Sequence, residues 1–202
     1  MNTPLDALSA IVFAIVFLCW MIFAIAFILR RKPNQATTER KRARASILGI
    51  ILQALSFAII WSAPRQMFTQ ITSLSEPLEV ALAALTVALA VGSVWITASA
   101  VRTLGKEWSL TARVVEDHRL ITSGPYRFVR HPIYTGMFGL LIATGLAYSH
   151  WIAFFVAIAI FTTGTIIRVR SEEKLLRETF GHQYDLYARR VPMILPFSFR
   201  KG

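Results

Sequence analysis

Cysteine is nearly absent from this chain: Cys19 stands alone among 202 residues. A single cysteine excludes an internal disulfide and any multi-cysteine metal site. Inside an apolar run, as here, it behaves as a small hydrophobe. The four histidines, His118, His131, His150 and His182, show no metal-ligand spacing. Neither His-Glu-x-x-His nor a Gly-rich phosphate loop occurs, so no metal is expected. Charge is also scarce. Only 16% of residues are charged, against roughly 25% in a soluble domain. Acidic side chains are scarcest, 11 against 22 Lys and Arg, for a formal net charge of +11. In a soluble protein that excess raises the question of nucleic acid. Here the basic residues stand in blocks between apolar runs, the pattern of membrane topology and contact with anionic lipid.

What the chain has instead is hydrophobicity: 55% of residues are apolar and mean hydropathy is +0.53. A spanning helix needs about 20 mostly apolar residues. Five candidate spans follow, at 8–29, 47–63, 78–100, 132–148 and 151–167. The last two are short and separated only by Ser149-His150, which predicts a tight hairpin. The N-terminus lacks a basic region and a small-residue cleavage site, so it reads as a retained first span. With five spans, 21 of the 22 Lys and Arg fall on one side, Arg65 being the exception. The positive-inside rule then places the N-terminus outside and the C-terminus in the cytoplasm. Small residues at helical spacing (Ala84, Ala88 and Gly92; Gly139 and Ala143; Ala153 and Ala157) predict faces of close helix approach. The loop 31–45 reads as a basic connector that packs little. The expected fold is all-α, a membrane bundle of about five helices. It divides into residues 1–104, three spans with a basic cytoplasmic loop, and 105–202, a core with the last two spans and a C-terminal segment.

Three polar stretches interrupt this pattern. In Gly124-Pro125-Tyr126-Arg127-Phe128-Val129-Arg130-His131-Pro132-Ile133-Tyr134-Thr135-Gly136, Gly-Pro signals a turn. Pro132 suits the first turn of a helix, whose free N–H groups and dipole favour an anion. Arg127, Arg130 and His131 add donors, and Tyr126 and Tyr134 add aromatic faces. In the second stretch Arg168 and Glu172 share a helical face, with Glu173 beside them. A hairpin brings the two stretches out of the bundle together, where a paired cation and carboxylate can bind a ligand of both charge signs. The plain alternative is a belt of aromatics and snorkelling arginines beside solvated charges. The third stretch holds Gly181 as a helix stop, then Tyr184 and Tyr187 on one face of a short helix. Val191-Pro192 and Leu195-Pro196 force extended chain after it. That tail either folds over the pocket or lies on the headgroups.

Taken together and in this order, these stretches resemble the isoprenylcysteine carboxyl methyltransferase family of integral membrane enzymes. The matching text is Leu120-Ile-Thr-Ser-Gly-Pro-Tyr-Arg-Phe-Val-Arg-His-Pro-Ile-Tyr-Thr-Gly136, Arg168 with Glu172-Glu173, Phe180-Gly-His-Gln-Tyr-Asp-Leu-Tyr187, and Val191-Pro-Met-Ile-Leu-Pro196. The resemblance implies S-adenosylmethionine as methyl donor in a cytoplasmic pocket built from the last two spans, the preceding loop and the C-terminal segment. It implies donor contacts at His118, Arg119, Leu120, Ile121, Tyr126, His131, Pro132, Ile133, Tyr134 and Glu172, with Arg168 on the substrate side. Arg168 and Glu172 are the implied catalytic pair. The implied acceptor is the carboxylate of a prenylated cysteine or another lipid-like acid whose tail enters from the membrane. Competing readings are a phospholipid or amine N-methyltransferase, with Glu173 or a tyrosine as proton acceptor, an NADPH-dependent sterol-type reductase, and a non-enzymatic membrane scaffold. Nucleic acid is not an expected partner.

Overall fold

The structure is a computed structural model, and it describes residues 4–28, 39–42, 45–65, 75–105, 113–115 and 120–194. Its framework is helical: α1 (Pro4–Ile28), α2 (Ala45–Ser62), α3 (Glu76–Leu104), α4 (Pro132–Tyr148), α5 (Trp151–Phe180) and α6 (His182–Arg190), with a 3-10 turn at Gly124–Arg127 before α4. The expected fourth span coincides with α4. The expected fifth begins where α5 begins but stops short of its end. α5 carries on to Phe180, because the Arg168-to-Arg177 sequence keeps good helix formers and contains no breaker. The extension keeps Arg168, Glu172 and Glu173 on one rigid helix. Gly181, at φ 51° and ψ −125°, takes a positive-φ conformation open to glycine, and there α5 ends and α6 starts.

α1, α3 and α5 are long and apolar enough to cross a membrane, and α2 and α4 are shorter apolar helices. These are the helices of an integral membrane protein. Outward faces carry Leu18, Ile51, Val91, Trp95, Ile152 and Phe155, all exposed on the isolated chain, which is the surface a bilayer covers.

α4 is the shared wall of the bundle. Leu140 and Ala143 face a cluster with Val12, Val16 and Cys19 of α1 and Ala83, Ala90 and Val94 of α3. Leu141 faces the other way, to Ile60, Phe154, Ala157 and Phe161. Cys19 is a buried core residue, as expected. The turn between α4 and α5 is tight, but the two helices part from it: α4 packs chiefly on α3, and α5 on α2. Glycine permits the second pairing. A Cβ at Gly49 would sit 2.6 Å from the Gly164 carbonyl oxygen, and one at Gly164 would sit 2.9 Å from that of Gly49.

One expected packing face is not used. Ala84, Ala88 and Gly92 are exposed, and a Cβ at Gly92 would meet nothing within 4 Å. α3 instead turns Ala83, Thr86, Ala90, Ser93, Thr97 and Ala100 inward. There the small residues are alanines and hydroxyl residues, and Ser93 and Thr97 meet Gly136 and Gly139 of α4. The basic connector is also more structured than expected. Its residues Glu39–Arg42 (β1) pair antiparallel with Arg113–Val115 (β2) in a short ribbon beside α5.

Candidate functional site

The 3-10 turn delivers the chain to the start of α4. Gly124, at φ 59°, opens the turn, and Phe128 and Val129 donate their N–H groups to the Pro125 carbonyl at 3.1 and 3.3 Å. His131 follows as the N-cap of α4, at φ −126° and ψ 61°, and Pro132 occupies the first helical position. α5 runs past this point and presents 168–173 to it. The convergence expected from the hairpin is therefore present.

At its centre the His131 ring lies between two adjacent carboxylates. Its Nδ1 is 3.5 Å from Glu172 Oε2, and its Nε2 is 3.3 Å from Glu173 Oε1. Burial works to lower the pKa of this imidazole. Its hydrogen bonds to Glu172 and Glu173, with their charges, outweigh burial and hold it above its ordinary 6.5.

The two glutamates have different companions. Glu173 accepts from Arg130 Nε and Nη2 at 2.9 and 2.8 Å, and from Arg177 Nη2 at 3.3 Å. Arg130 also donates through Nη1 to the carbonyls of Ala188 and Val191, at 2.9 and 2.5 Å. This half of the cluster anchors the C-terminal segment. Glu172 accepts from the Tyr134 hydroxyl and lies 3.6 Å from Arg168 Nη2. The Arg168 guanidinium sits 5.0 Å over the Tyr134 ring, a favourable cation–π arrangement. Its Nη1 donates to Gln53 Oε1 of α2 at 3.1 Å. Glu172 is also more open than its buried neighbours: its side chain is 22% exposed, against 6–7% for His131, Arg168 and Glu173.

The C-terminal segment folds over this end of the bundle. Pro192 and Met193 carbonyls accept from the N–H groups of Arg130 and His131 at 2.8 and 3.0 Å. Thr135 Oγ1 donates to the Ile194 carbonyl at 2.6 Å. The Tyr187 hydroxyl donates to the Tyr126 carbonyl at 2.6 Å. Burial pushes the phenol pKa values of Tyr126 and Tyr184 up, aided by the charge of Glu172 on the first and of Glu173 on the second. Burial likewise pushes Tyr187 up to about 12. All three phenols are neutral at physiological pH.

Of the expected site residues, Tyr126, His131, Pro132 and Tyr134 are buried, and Leu120, Ile121, Ile133 and Glu172 are partly buried. The structure gathers His131, Tyr134, Arg168 and Glu172 into one cluster and places Tyr126 beside it through Tyr187. His118 and Arg119 lie outside the described residues. Sequence reasoning missed Gln53 and Thr165, whose signal was a lone amide in the apolar run 47–63. The resemblance singled out Glu172, but the residues alone did not show that Glu173, adjacent and identical in type, is held by Arg130 and Arg177. Their partners distinguish the two.

The sequence around this cluster has known relatives. A sequence model of the family described as phospholipid methyltransferase matches residues 81–183, just over half of the 202. The chain belongs to that family. Among curated relatives, protein-S-isoprenylcysteine O-methyltransferase B of Arabidopsis thaliana is 32% identical over 101 residues, covering 49% of this chain and 51% of that protein. Protein-S-isoprenylcysteine O-methyltransferase of Schizosaccharomyces pombe is 28% identical over 104 residues, 50% of this chain and 44% of that protein. Methanethiol S-methyltransferase of Crocosphaera subtropica is 34% identical over 77 residues, 38% and 29% of the two chains. The chain thus spans about half the length of the isoprenylcysteine methyltransferases it matches, and less of the methanethiol enzyme.

Proposed function

We propose that this chain is an S-adenosylmethionine-dependent methyltransferase acting on the carboxylate of a lipid-like acid, of the prenylcysteine or fatty-acid type, at the membrane–cytoplasm boundary. The carrying observation is Glu172, a carboxylate that stays 22% exposed beside the buried His131, Arg168 and Glu173. An ionised, partly exposed carboxylate suits a ligand bearing cationic and hydroxyl groups. S-adenosylmethionine is such a ligand, so the residues present fit it. Bound there, the donor supplies an electrophilic methyl on a sulfonium sulfur.

Glu172 and Tyr134 hold the donor's polar groups, with His131, Pro132, Ile133, Leu120, Ile121 and Tyr126 around it and His118 and Arg119 preceding them in sequence. Arg168 orients the acceptor carboxylate with charge-assisted hydrogen bonds. A carboxylic acid is already ionised at neutral pH, its pKa lying near ~4, so no general base is needed. The C-terminal segment and the apolar bundle exclude water, and alignment accounts for most of the catalysis.

The family's name favours a second reading, an amine acceptor on a phospholipid. A protonated amine must first lose its proton. Of the two candidate acceptors of that proton, Glu173 or a tyrosine, Glu173 is already held by Arg130, Arg177 and His131, and the Tyr134 hydroxyl is given to Glu172. That arrangement weighs toward the carboxylate.

The first test is calorimetry with S-adenosylmethionine. Glu172→Gln should weaken donor binding by roughly 10–100-fold, the equivalent of one charge-assisted bond. Equal affinity in the variant removes Glu172 from the donor site. A labelled-methyl screen of prenylcysteine analogues, fatty acids and phosphatidylethanolamine then separates the two acceptors. Binding of NADPH without binding of the donor defeats both. The same reading has five helices crossing the membrane, with the N-terminus outside. Reporters fused to the two termini should land on opposite sides, and same-side signals refute that topology.

A further inference from the structure

We propose that Gln53 is a positioning residue: it aims Arg168 with a neutral hydrogen bond and so makes the site selective for an anionic acceptor. This rests on the methyl-transfer reading above and extends it to α2, which lies before the family match at residues 81–183.

The seat is built from two helices. Gly49 and Gln53 are one turn apart on α2. A Cβ at Gly49 would collide with the Arg168 side chain, so the arginine stem passes over a position that only glycine leaves open. Gln53 is 2% exposed and Arg168 is 6% exposed. An unbonded amide at such a depth carries a desolvation penalty. Here both of its ends are engaged: Oε1 accepts from Arg168 Nη1 at 3.1 Å, and Nε2 donates to Thr165 Oγ1 at 2.9 Å. The amide's orientation follows from chemistry, because a guanidinium donates only and must meet the oxygen. Thr165 stands on α5 three residues before Arg168, so the same helix that carries the guanidinium also fixes the amide that aims it.

The choice of amide matters electrostatically. A carboxylate of the same shape at position 53 would hold Arg168 equally well and would also neutralise it. An amide orients the guanidinium and leaves its charge intact. When Glu172 turns to a cationic ligand group, the field at the acceptor position stays positive. Gln53 thus acts through Arg168 and touches neither donor nor acceptor.

The test uses the full chain in lipid nanodiscs, with a prenylcysteine analogue as free acid and as its uncharged methyl ester. The two probes share a tail and differ by one charge. Wild type should prefer the acid. Gln53→Glu should erase that preference, by roughly 10–100-fold in the acid-to-ester affinity ratio, with S-adenosylmethionine affinity within about twofold of wild type. A purely structural role would depress both ligands and leave their ratio unchanged. Should Gln53→Glu fail to fold, Gln53→Met carries the test. It keeps the volume and removes the bond, and kcat on the acid should fall about 10-fold or more at unchanged donor affinity. An acid-to-ester ratio in folded Gln53→Glu equal to wild type, or a wild-type kcat in Gln53→Met, overturns the proposal. A wild-type chain that binds donor but methylates no acid overturns the acceptor reading itself.

Discussion

The two ends of α4 solve opposite problems with similar residues. At the Tyr148 end the helix runs out of partners for its last carbonyls. Arg65 supplies them, its Nη2 donating to the Leu146 carbonyl and its backbone N–H to that of Tyr148, each at 2.8 Å. Pro64 bridges Ser149, and the His150 N–H reaches the Ala63 carbonyl at 2.9 Å. Glu79 is buried nearby, in a small cleft it shares with Arg65, Leu8, Ser9, Val12, Ala83 and Ala147. At the Pro132 end the N–H groups of Arg130 and His131, just ahead of the helix, meet the carbonyls of the folded-back tail, and the side chains bond mainly to one another. One end therefore closes the backbone, while the other gathers an imidazole, two carboxylates and three guanidiniums. Only side chains bonded to side chains can exchange a partner for a ligand without unravelling the helix. A buried charge marks function only when its partners are themselves exchangeable.

The comparison breaks most sharply at Glu173. It neutralises Arg130, and Arg130 anchors Ala188 and Val191. Glu173→Ala leaves a buried guanidinium without its carboxylate, a change that costs about 3–5 kcal/mol. The expected outcome is a large drop in thermal unfolding temperature in detergent, with faster proteolysis of the C-terminal segment, even without donor. Glu172→Gln should change stability far less. Equal destabilisation by the two substitutions would erase the distinction between an anchoring and a ligand-facing carboxylate. At the other end, Arg65→Met should cost about 1–3 kcal/mol, the range for a charge-assisted bond to a buried carbonyl, and leave donor affinity unchanged. A loss of donor binding in Arg65→Met would show that the Tyr148 end is not merely a closure.

Much of this was legible in the chain because it depends on local pattern. Apolar run lengths locate the helices, and Pro132 and Gly181 mark the boundaries where backbone chemistry requires them. The short Ser149-His150 link forces 131–134 and 168–173 to one end. Other features rest on rotation and depth, which run length does not encode. The sequence offers Ala84, Ala88 and Gly92 as a packing face, yet α3 turns its hydroxyl-bearing face to α4 instead. Gln53 reads as one polar residue in an apolar run until α2 is seen against α5. Glu172 and Glu173 are identical in type, and only the resemblance singles out Glu172; in space, consecutive helical residues diverge by about a quarter-turn or more. That rotation sends one toward Tyr134 and Arg168, and the other toward Arg130 and Arg177.

The finest difference between the two ends is titratable. His131 carries the cluster's imidazole, and it faces Glu172 and Glu173, with Arg130 and Arg168 beyond them. Burial lowers its pKa, but the two carboxylates win and leave it above 6.5. A group whose folded-state pKa is raised stabilises the fold fully below its unfolded pKa, and the contribution is lost as pH rises through the folded value. The ligand-free protein should therefore melt at progressively lower temperature as pH climbs above about 6.5. His131→Gln should flatten that dependence while lowering stability at the acidic end. Thermal melts of both proteins from mildly acidic to mildly alkaline buffer decide the matter. A wild-type profile that rises over this window would mean that the imidazole is neutral in the fold, with burial prevailing over Glu172 and Glu173.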